Sequence, residues 1–382
     1  MENIFLREIF RNFKIMNITY IFMKGRISKK NKETVVPNDF FYFYNKFEES
    51  ENVNSNFLEV NSKNTLNPLR NIYSLIEKYR RKRTGLSFYG NEFIKFKNFK
   101  TILKTNKVIL INESVSFSLL FLFSIYKKIK KVEITIFLMG LFSKLDLSNN
   151  LHKNILYKML NVYDKFIFVG KSEFNYAKNN FPEWSEKFYF LPFSVDQNFW
   201  KPQTNSIKNE EILFIGNDLN RDFDFTFNLA KKMPELSFTL ISNHFKQYKQ
   251  IENINVLDGN WSKGNITDIE LRNYYDKSIL TIVPLINSIQ PSGQSVSLQS
   301  MSMNTPVIIT KTDGFWDYDH FENNKNIIFA EKNEIELWIS LIQDLLKNEK
   351  QYSNLAKNAK KTMLETYDQD KLFEKLLDIL SS

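Results

Sequence analysis

Two short stretches carry residue types that suit phosphate chemistry. The first is Gly216, Asn217, Asp218, Leu219, Asn220 and Arg221, set directly after the apolar run Ile212 to Ile215 and ahead of a helix from about Phe223. A guanidinium can hold two phosphate oxygens at once, and a charge-assisted hydrogen bond contributes roughly 1.5–3 kcal/mol. The plainer use of Arg221 is a surface ion pair with Asp222 or Asp224, which contributes little. The second stretch is Ser292, Gly293, Gln294 and Ser295, where a helix begins. The first N–H groups of a helix have no partner within it, and the macrodipole adds positive potential there. Gly293 allows close backbone approach, and Ser292 and Ser295 add hydroxyl donors. Gln299 lies one turn deeper on the face of Ser295, where its amide can reach a sugar hydroxyl. The plainer reading is that Ser292 or Ser295 caps a core helix.

These residues need a scaffold, and the pattern supplies one. Ile279 to Val283 reads as a buried strand closed by Pro284, Ser295 to Met303 as a helix, and Val307 to Thr310 as a second buried strand. Asn304, Thr305 and Pro306 end the helix, since proline disfavours helix in the residue before it. The result is a βαβ unit. The first half opens with a strand, Ile18 to Met23, followed by Lys24, Gly25 and Arg26. Gly25 stands where a ligand-approaching loop follows the first strand of an α/β domain, and a plain turn fits it equally. Residues 27–65 are polar and Asn-rich and read as irregular or inserted, with an aromatic cluster at Phe40 to Tyr44. A helix from near Pro68 ends in the basic run Arg80 to Arg83. Val108 to Ile111, Ile134 to Leu138 and Phe166 to Val169 read as parallel strands buried on both faces. Between the first two lies an apolar helix, Ser114 to Lys131, finishing in Lys127, Lys128, Lys130 and Lys131. Those cations complement the helix dipole or form a patch for an anionic membrane. Gln203 to Asn209 is a polar linker, and helices from Glu334, Gln351 and Gln369 close the chain.

At 382 residues there is room for two domains, and 43% hydrophobic with 25% charged residues is a globular composition. Residues 1–200 hold 32 Lys+Arg against 18 Asp+Glu, and the remainder 20 against 25. A basic half beside an acidic half argues for two domains with different partners. With no cysteine there is no disulfide frame or thiolate metal site. His152, His244 and His320 share no ligand spacing, so no metal is expected. Three Asp-x-Asp triplets, at Asp222/Asp224, Asp317/Asp319 and Asp368/Asp370, read as chance. The charged opening segment, residues 1–14, lacks the apolar core of a secretory leader. The longest apolar run, Val115 to Tyr126, is too short to span a bilayer. A cytoplasmic protein, peripheral at most, is expected.

The run from Gln299 through Ser300, Met301, Ser302, Met303, Asn304, Thr305 and Pro306 to Ile308 resembles the Glu-Ala-Met-Ala-x-Gly-x-Pro-Val-Ile segment of GT-B glycosyltransferases, above all the retaining group 1 enzymes numbered family four. That family carries Glu-x7-Glu here; Pro291 stands at the first position and Gln299 at the second. Pro192 to Pro202 follows a second family segment, at the crossing between domains, through Pro192, Val195, Asp196 and Pro202, with Phe193 and Ser194 in place of its Asn-Gly. Arg221 matches the family's diphosphate-gripping arginine, without the usual lysine partner. The acceptor-side histidine has no clear counterpart; Phe137 to Gly140 stands near its place.

The resemblance implies an α/β GT-B fold, two Rossmann-like domains with parallel sheets facing across a cleft. The expected domains are 1–200 on the acceptor side, 201–365 for the nucleotide-sugar donor, and a helix, 366–382, returning to the first domain. It implies transfer of a hexosyl-type sugar from a nucleoside diphosphate to a hydroxyl of a glycan, lipopolysaccharide or lipid-linked saccharide, with retention and without a metal or other cofactor. Arg221 is the expected catalytic residue. Gly216, Asn217, Ser292, Gly293, Gln294, Ser295 and Gln299 are expected at the donor, and Gly25 on the acceptor side. An anionic membrane is a further expected partner of the basic half; nucleic acid is not. The rivals are a nucleotide-sugar epimerase on the same fold and a non-enzymatic binder of membranes or polyanions.

Overall fold

The computed structural model describes residues 16–31, 35–60, 68–203, 208, 211–248, 251–260 and 265–382. The opening segment 1–14 and most of the linker at 203–209 lie outside them. The chain divides into two compact units. One comprises residues up to Glu33, Phe41–Val169 and Phe174–Phe190; the other comprises Thr34–Phe40, Gly170–Glu173 and Leu191–Ser382. The helix Gln369–Ser381 is thus part of the second unit.

The first unit is built on six parallel strands: β1 (Met16–Met23), β2 (Val53–Val60), β3 (Lys107–Ile111), β4 (Glu133–Leu138), β5 (Lys165–Phe168) and β6 (Phe188–Phe190). Their spatial order is β2-β1-β3-β4-β5-β6. The central strands are continuous apolar runs with no exposed face: Val108, Ile109 and Leu110 are fully buried, as are Ile134 and Ile136. That is the pattern of a sheet covered by helices on both sides. β2 corrects the reading of 27–65 as irregular. It pairs with β1 in register from Met16 and Val53 to Met23 and Val60. At the edge of the sheet it needs little apolar sequence, and its Asn54, Ser55 and Asn56 are exposed or half-buried.

The second unit repeats the plan with β7 (Glu211–Ile215), β8 (Ser237–Ile241), β9 (Ile254–Leu257), β10 (Leu280–Val283), β11 (Val307–Thr310) and β12 (Ile328–Ala330), all parallel. The order is β12-β11-β10-β7-β8-β9. The winding therefore reverses between β7 and β10, and open α/β sheets bind ligands outside the carboxyl ends of the strands at such a point. The loop carrying Arg221 leaves β7 there, and the loop carrying Ser292 to Ser295 leaves β10. Helix Gln294–Ser302 then packs on β10 and β11. Helix Asp268–Lys277, which leads into β10, starts at a capping box between Thr267 and Glu270. No helix among the described residues is long and apolar enough to cross a membrane.

Candidate functional site

The two loops at the reversal are stitched together by backbone. Asp222 N–H donates to the Pro284 carbonyl at 3.1 Å and Ile286 N–H to the Asn220 carbonyl at 2.8 Å, so Arg221 and Leu285 lie opposite each other as an antiparallel bridge. Asn333 ties both loops down, donating to Asp222 Oδ2 (2.9 Å) and the Leu285 carbonyl (3.0 Å). Asp222 itself caps helix Phe223–Lys232 through the Phe225 N–H, so it is not the partner of Arg221.

Arg221 turns inward and is only 3% exposed. Its Nε donates to Asp218 Oδ2 at 2.8 Å, while Nη1 is buried and has no hydrogen-bond partner. A β-carbon on Gly293 would lie 3.2 Å from that nitrogen. The cation therefore points at Gly293, the residue just before helix Gln294–Ser302. That helix end has no side-chain cap: Gly293 is the N-cap at φ +80°, and the first intrahelical bond is Ser297 N–H to the Gly293 carbonyl at 3.0 Å. Gly293 is required twice over. Its φ is one that side chains rarely adopt, and a β-carbon would also lie 2.8 Å from Val283 Cγ1. Ser292 is buried and takes a hydrogen bond from Asn220 Nδ2 at 2.8 Å. Gln294 is buried and Ser295 half-buried.

Gln299 lies in the interior, 3% exposed, with its amide held at both ends. Its Nε2 donates to Asp39 Oδ2 at 2.9 Å, and its Oε1 accepts from the Tyr275 hydroxyl at 3.3 Å. Asp39 also accepts the Trp200 indole N–H (2.6 Å) and the Asp196 N–H (2.6 Å). Burial pushes the Asp39 carboxyl up to about 7, against the hydrogen bonds from Gln299, Asp196 and Trp200. Burial likewise raises the Tyr275 phenol, with the Arg221 charge opposing and Asp39 adding to the rise. An electrostatic chain thus runs from Arg221 through Tyr275 and Gln299 to Asp39. Asp39 and Tyr275 were not among the residues singled out in the sequence, whereas Asp196 and Trp200 fall within the Pro192 to Pro202 segment.

Gly216 closes β7, and a β-carbon there would sit 2.5 Å from Arg221 Nε. Asn217 joins three loops, donating to the Gly259 carbonyl (2.7 Å) and accepting from the Ser242 hydroxyl and the Asn243 N–H (both 2.9 Å). In the first unit Gly25 follows β1 at φ +102° and opens helix Arg26–Lys30, with nothing within 4 Å of where a β-carbon would be. The three Asp-x-Asp triplets serve local structure. Asp368 caps helix Gln369–Ser381, Asp317 accepts from the Tyr367 hydroxyl at 2.9 Å, and Asp319 pairs with Lys171. Among the described residues no group of three or more His, Cys, Asp or Glu is placed to hold a metal ion.

Residues 203–362 match the family model described as glycosyl transferases group 1. No curated protein sequence matches the chain. Solved structures do match over nearly its whole length. Sucrose-phosphate synthase from Thermosynechococcus elongatus shares 10% identity at a TM-score of 0.65, over 96% of this chain and 98% of that one. Anabaena HepE, in complex with UDP, shares 10% at 0.64, over 96% and 100%. An alpha-glucosyltransferase in complex with UDP-glucose and DNA containing an abasic site shares 14% at 0.63, over 96% and 100%. At these identities the likeness is one of fold, and the fold is GT-B.

Proposed function

We propose that this chain, a GT-B protein whose residues 203–362 match the group 1 glycosyltransferase model, moves a sugar from a nucleoside diphosphate to an acceptor hydroxyl. The observation that carries the reading is the unpartnered Nη1 of buried Arg221, set against an uncapped helix end. A buried cation that keeps an unused donor is costly unless a ligand completes it. A diphosphate does so, with its oxygens on Nη1 and at the helix start, where the backbone N–H groups and the helix dipole favour an anion. Ser292 to Ser295 and Gly216 form the walls of this place, and Asn217 holds its loops. A ribose contact by Gln299 would use the second N–H of its amide, the first being held by Asp39.

As the glycosidic bond breaks, negative charge grows on the departing diphosphate. Arg221 and the amides of Gln294 and Ser295 stabilise that charge; removing one such donor typically lowers kcat by about 10²–10³. Their cationic and dipolar character takes the part a metal plays elsewhere, so transfer proceeds without one. We assign retention of configuration and name no protein nucleophile. The acceptor is a glycan or lipid-linked saccharide of a cell-surface polysaccharide, taken by the first unit, with Gly25 in its loop. UDP and UDP-glucose, which solved relatives of this fold carry, are the first donors to test.

A thermal-shift panel of nucleoside diphosphates and their sugars tests the reading directly. A ligand present at a hundred times its Kd stabilises the folded state by about 2.7 kcal/mol. The expected result is a shift with one diphosphate family that Arg221→Ala removes. No shift with any of them refutes it, and a product formed from donor alone, without acceptor, would favour an epimerase instead.

A further inference from the structure

Helix Pro68–Thr84 turns its apolar stripe outward. Ile72, Leu75, Ile76 and Tyr79 recur at the i, i+3, i+4, i+7 spacing that normally marks a buried face. Here they are 60, 69, 42 and 60% exposed. The inward face is settled by a polar residue. Glu77 is fully buried, and its carboxylate takes the Gly90 N–H at 2.5 Å and the Asn91 N–H at 3.2 Å. A β-carbon on Gly90 would meet Tyr73 and Glu77 at 3.0 Å, so this side of the helix is packed. The charged residues along the outward stripe are cations: Lys78, Lys82 and Arg83 are exposed beside the exposed Asn71, and Glu77 is the helix's sole acid. Arg83 donates to the Tyr79 hydroxyl at 3.0 Å and lies over its ring. Phe121 of the neighbouring helix, 43% exposed, extends the patch beneath Arg80 and Lys158.

The lysine run at 127–131, the more obvious basic cluster in the sequence, is less free. Lys127 donates to Asp164 (2.6 Å) and the Val162 carbonyl (2.9 Å), and Lys130 to the Leu103 (2.5 Å) and Thr105 (3.1 Å) carbonyls.

We propose that the outward face of helix Pro68–Thr84 lies on an anionic lipid bilayer. An amphipathic helix of this kind sets its apolar stripe at the headgroup–acyl boundary, with its cations among the phosphates. Charge decides against self-association, because a two-fold pairing of this face would set the same cations against one another. A nucleic acid would satisfy the cations but offers its phosphate backbone, not an apolar layer, to the four-residue stripe. The docking does not depend on the sugar-transfer reading, and the test keeps the two apart.

The full chain is floated with vesicles of phosphatidylcholine alone and with vesicles containing a quarter phosphatidylglycerol. The expected result is co-flotation with the anionic vesicles only, reversed by raised salt. The double variant Ile72→Ser, Leu75→Ser should lose about tenfold or more in vesicle affinity. Lys82→Gln with Arg83→Gln should abolish the preference for phosphatidylglycerol. All four side chains are exposed, so both variants should keep the wild-type melting temperature and any nucleotide-induced shift. Wild-type protein that stays off the anionic vesicles, or a stripe variant that floats like wild type, overturns the proposal. So does a concentration-dependent dimer that the stripe variant abolishes, which would make a second copy the occupant.

Discussion

Arg221 is a buried cation that keeps a donor unused, and its substitution separates charge from geometry. Arg221→Ala removes the charge-assisted bonds to a diphosphate, worth roughly 1.5–3 kcal/mol, so nucleotide affinity measured by titration calorimetry should fall roughly 10- to 150-fold. Arg221→Lys restores charge without the planar fork and should recover only part of that loss. Asp39 gives a second prediction, through pH. Its folded pKa of about 7 lies above the ordinary aspartate value of about 3.9. Between those two values the native chain binds more protons than the unfolded one, so the carboxyl lowers stability as pH rises, with the full loss present above about 7. Asp39→Asn cannot titrate. Denaturant midpoints compared at pH 5 and pH 8 should therefore fall less with pH in the variant than in wild type; equal slopes would refute the raised pKa. The two residues were not equally legible. Arg221 could be picked out because the glycine and polar loop directly after a buried strand match the diphosphate-gripping loop of the family it resembles; the residues alone fit a surface ion pair equally. Asp39 could not, because its partner Gln299 is 260 residues away and nothing local marks the pair.

At the level of elements, the helix Gln294–Ser302 matters through its N-cap, Gly293. Gly293→Ala puts a side chain at φ +80° and against Val283 Cγ1. Forcing alanine into the left-handed region costs about 1–2 kcal/mol before any clash is counted. The variant should melt lower and lose nucleotide-induced stabilisation beyond what that loss alone explains, since the added carbon also crowds Arg221 Nη1. Thermal shifts with and without nucleotide measure both. The elements around this helix were readable from the sequence because β7, β10 and β11 are apolar runs closed by Gly216, Pro284 and a turn. β2 and β12 were not. β2 is a polar edge strand whose identity comes from pairing with β1, and β12 is three residues long, Ile328–Ala330, too short for any period to show. Gln299 was legible as a helix residue on the expected face, but its burial among Tyr275 and Asp39 is a tertiary fact that helical spacing does not contain.

For the whole molecule, the unequal charge of the two halves suggested two domains divided near residue 200, yet the second unit also takes in Thr34–Phe40 and Gly170–Glu173. That matters physically because Asp39 brings the carboxylate that accepts from Trp200, Gln299 and the Asp196 N–H. Lys171 likewise supplies the N–H that meets the Trp316 carbonyl at 2.8 Å. A chain begun at residue 191 would keep all six strands of the second sheet and lose both segments. Trp200 and Gln299 would then be buried donors without an acceptor, at about 1–3 kcal/mol each, a large part of the 5–15 kcal/mol that holds a domain folded. The fragment 191–382 should therefore unfold at clearly lower denaturant than the full chain as followed by tryptophan fluorescence, to which buried Trp200 contributes. The full-length variant Asp39→Ala should shift the same transition in the same direction, because it deletes the same acceptor while leaving the rest of the segment in place. A fragment as stable as the full chain would mean that the early segment merely lies against a unit complete without it. The buried carboxylate and the helix that carries Gly293 would then have to be explained separately.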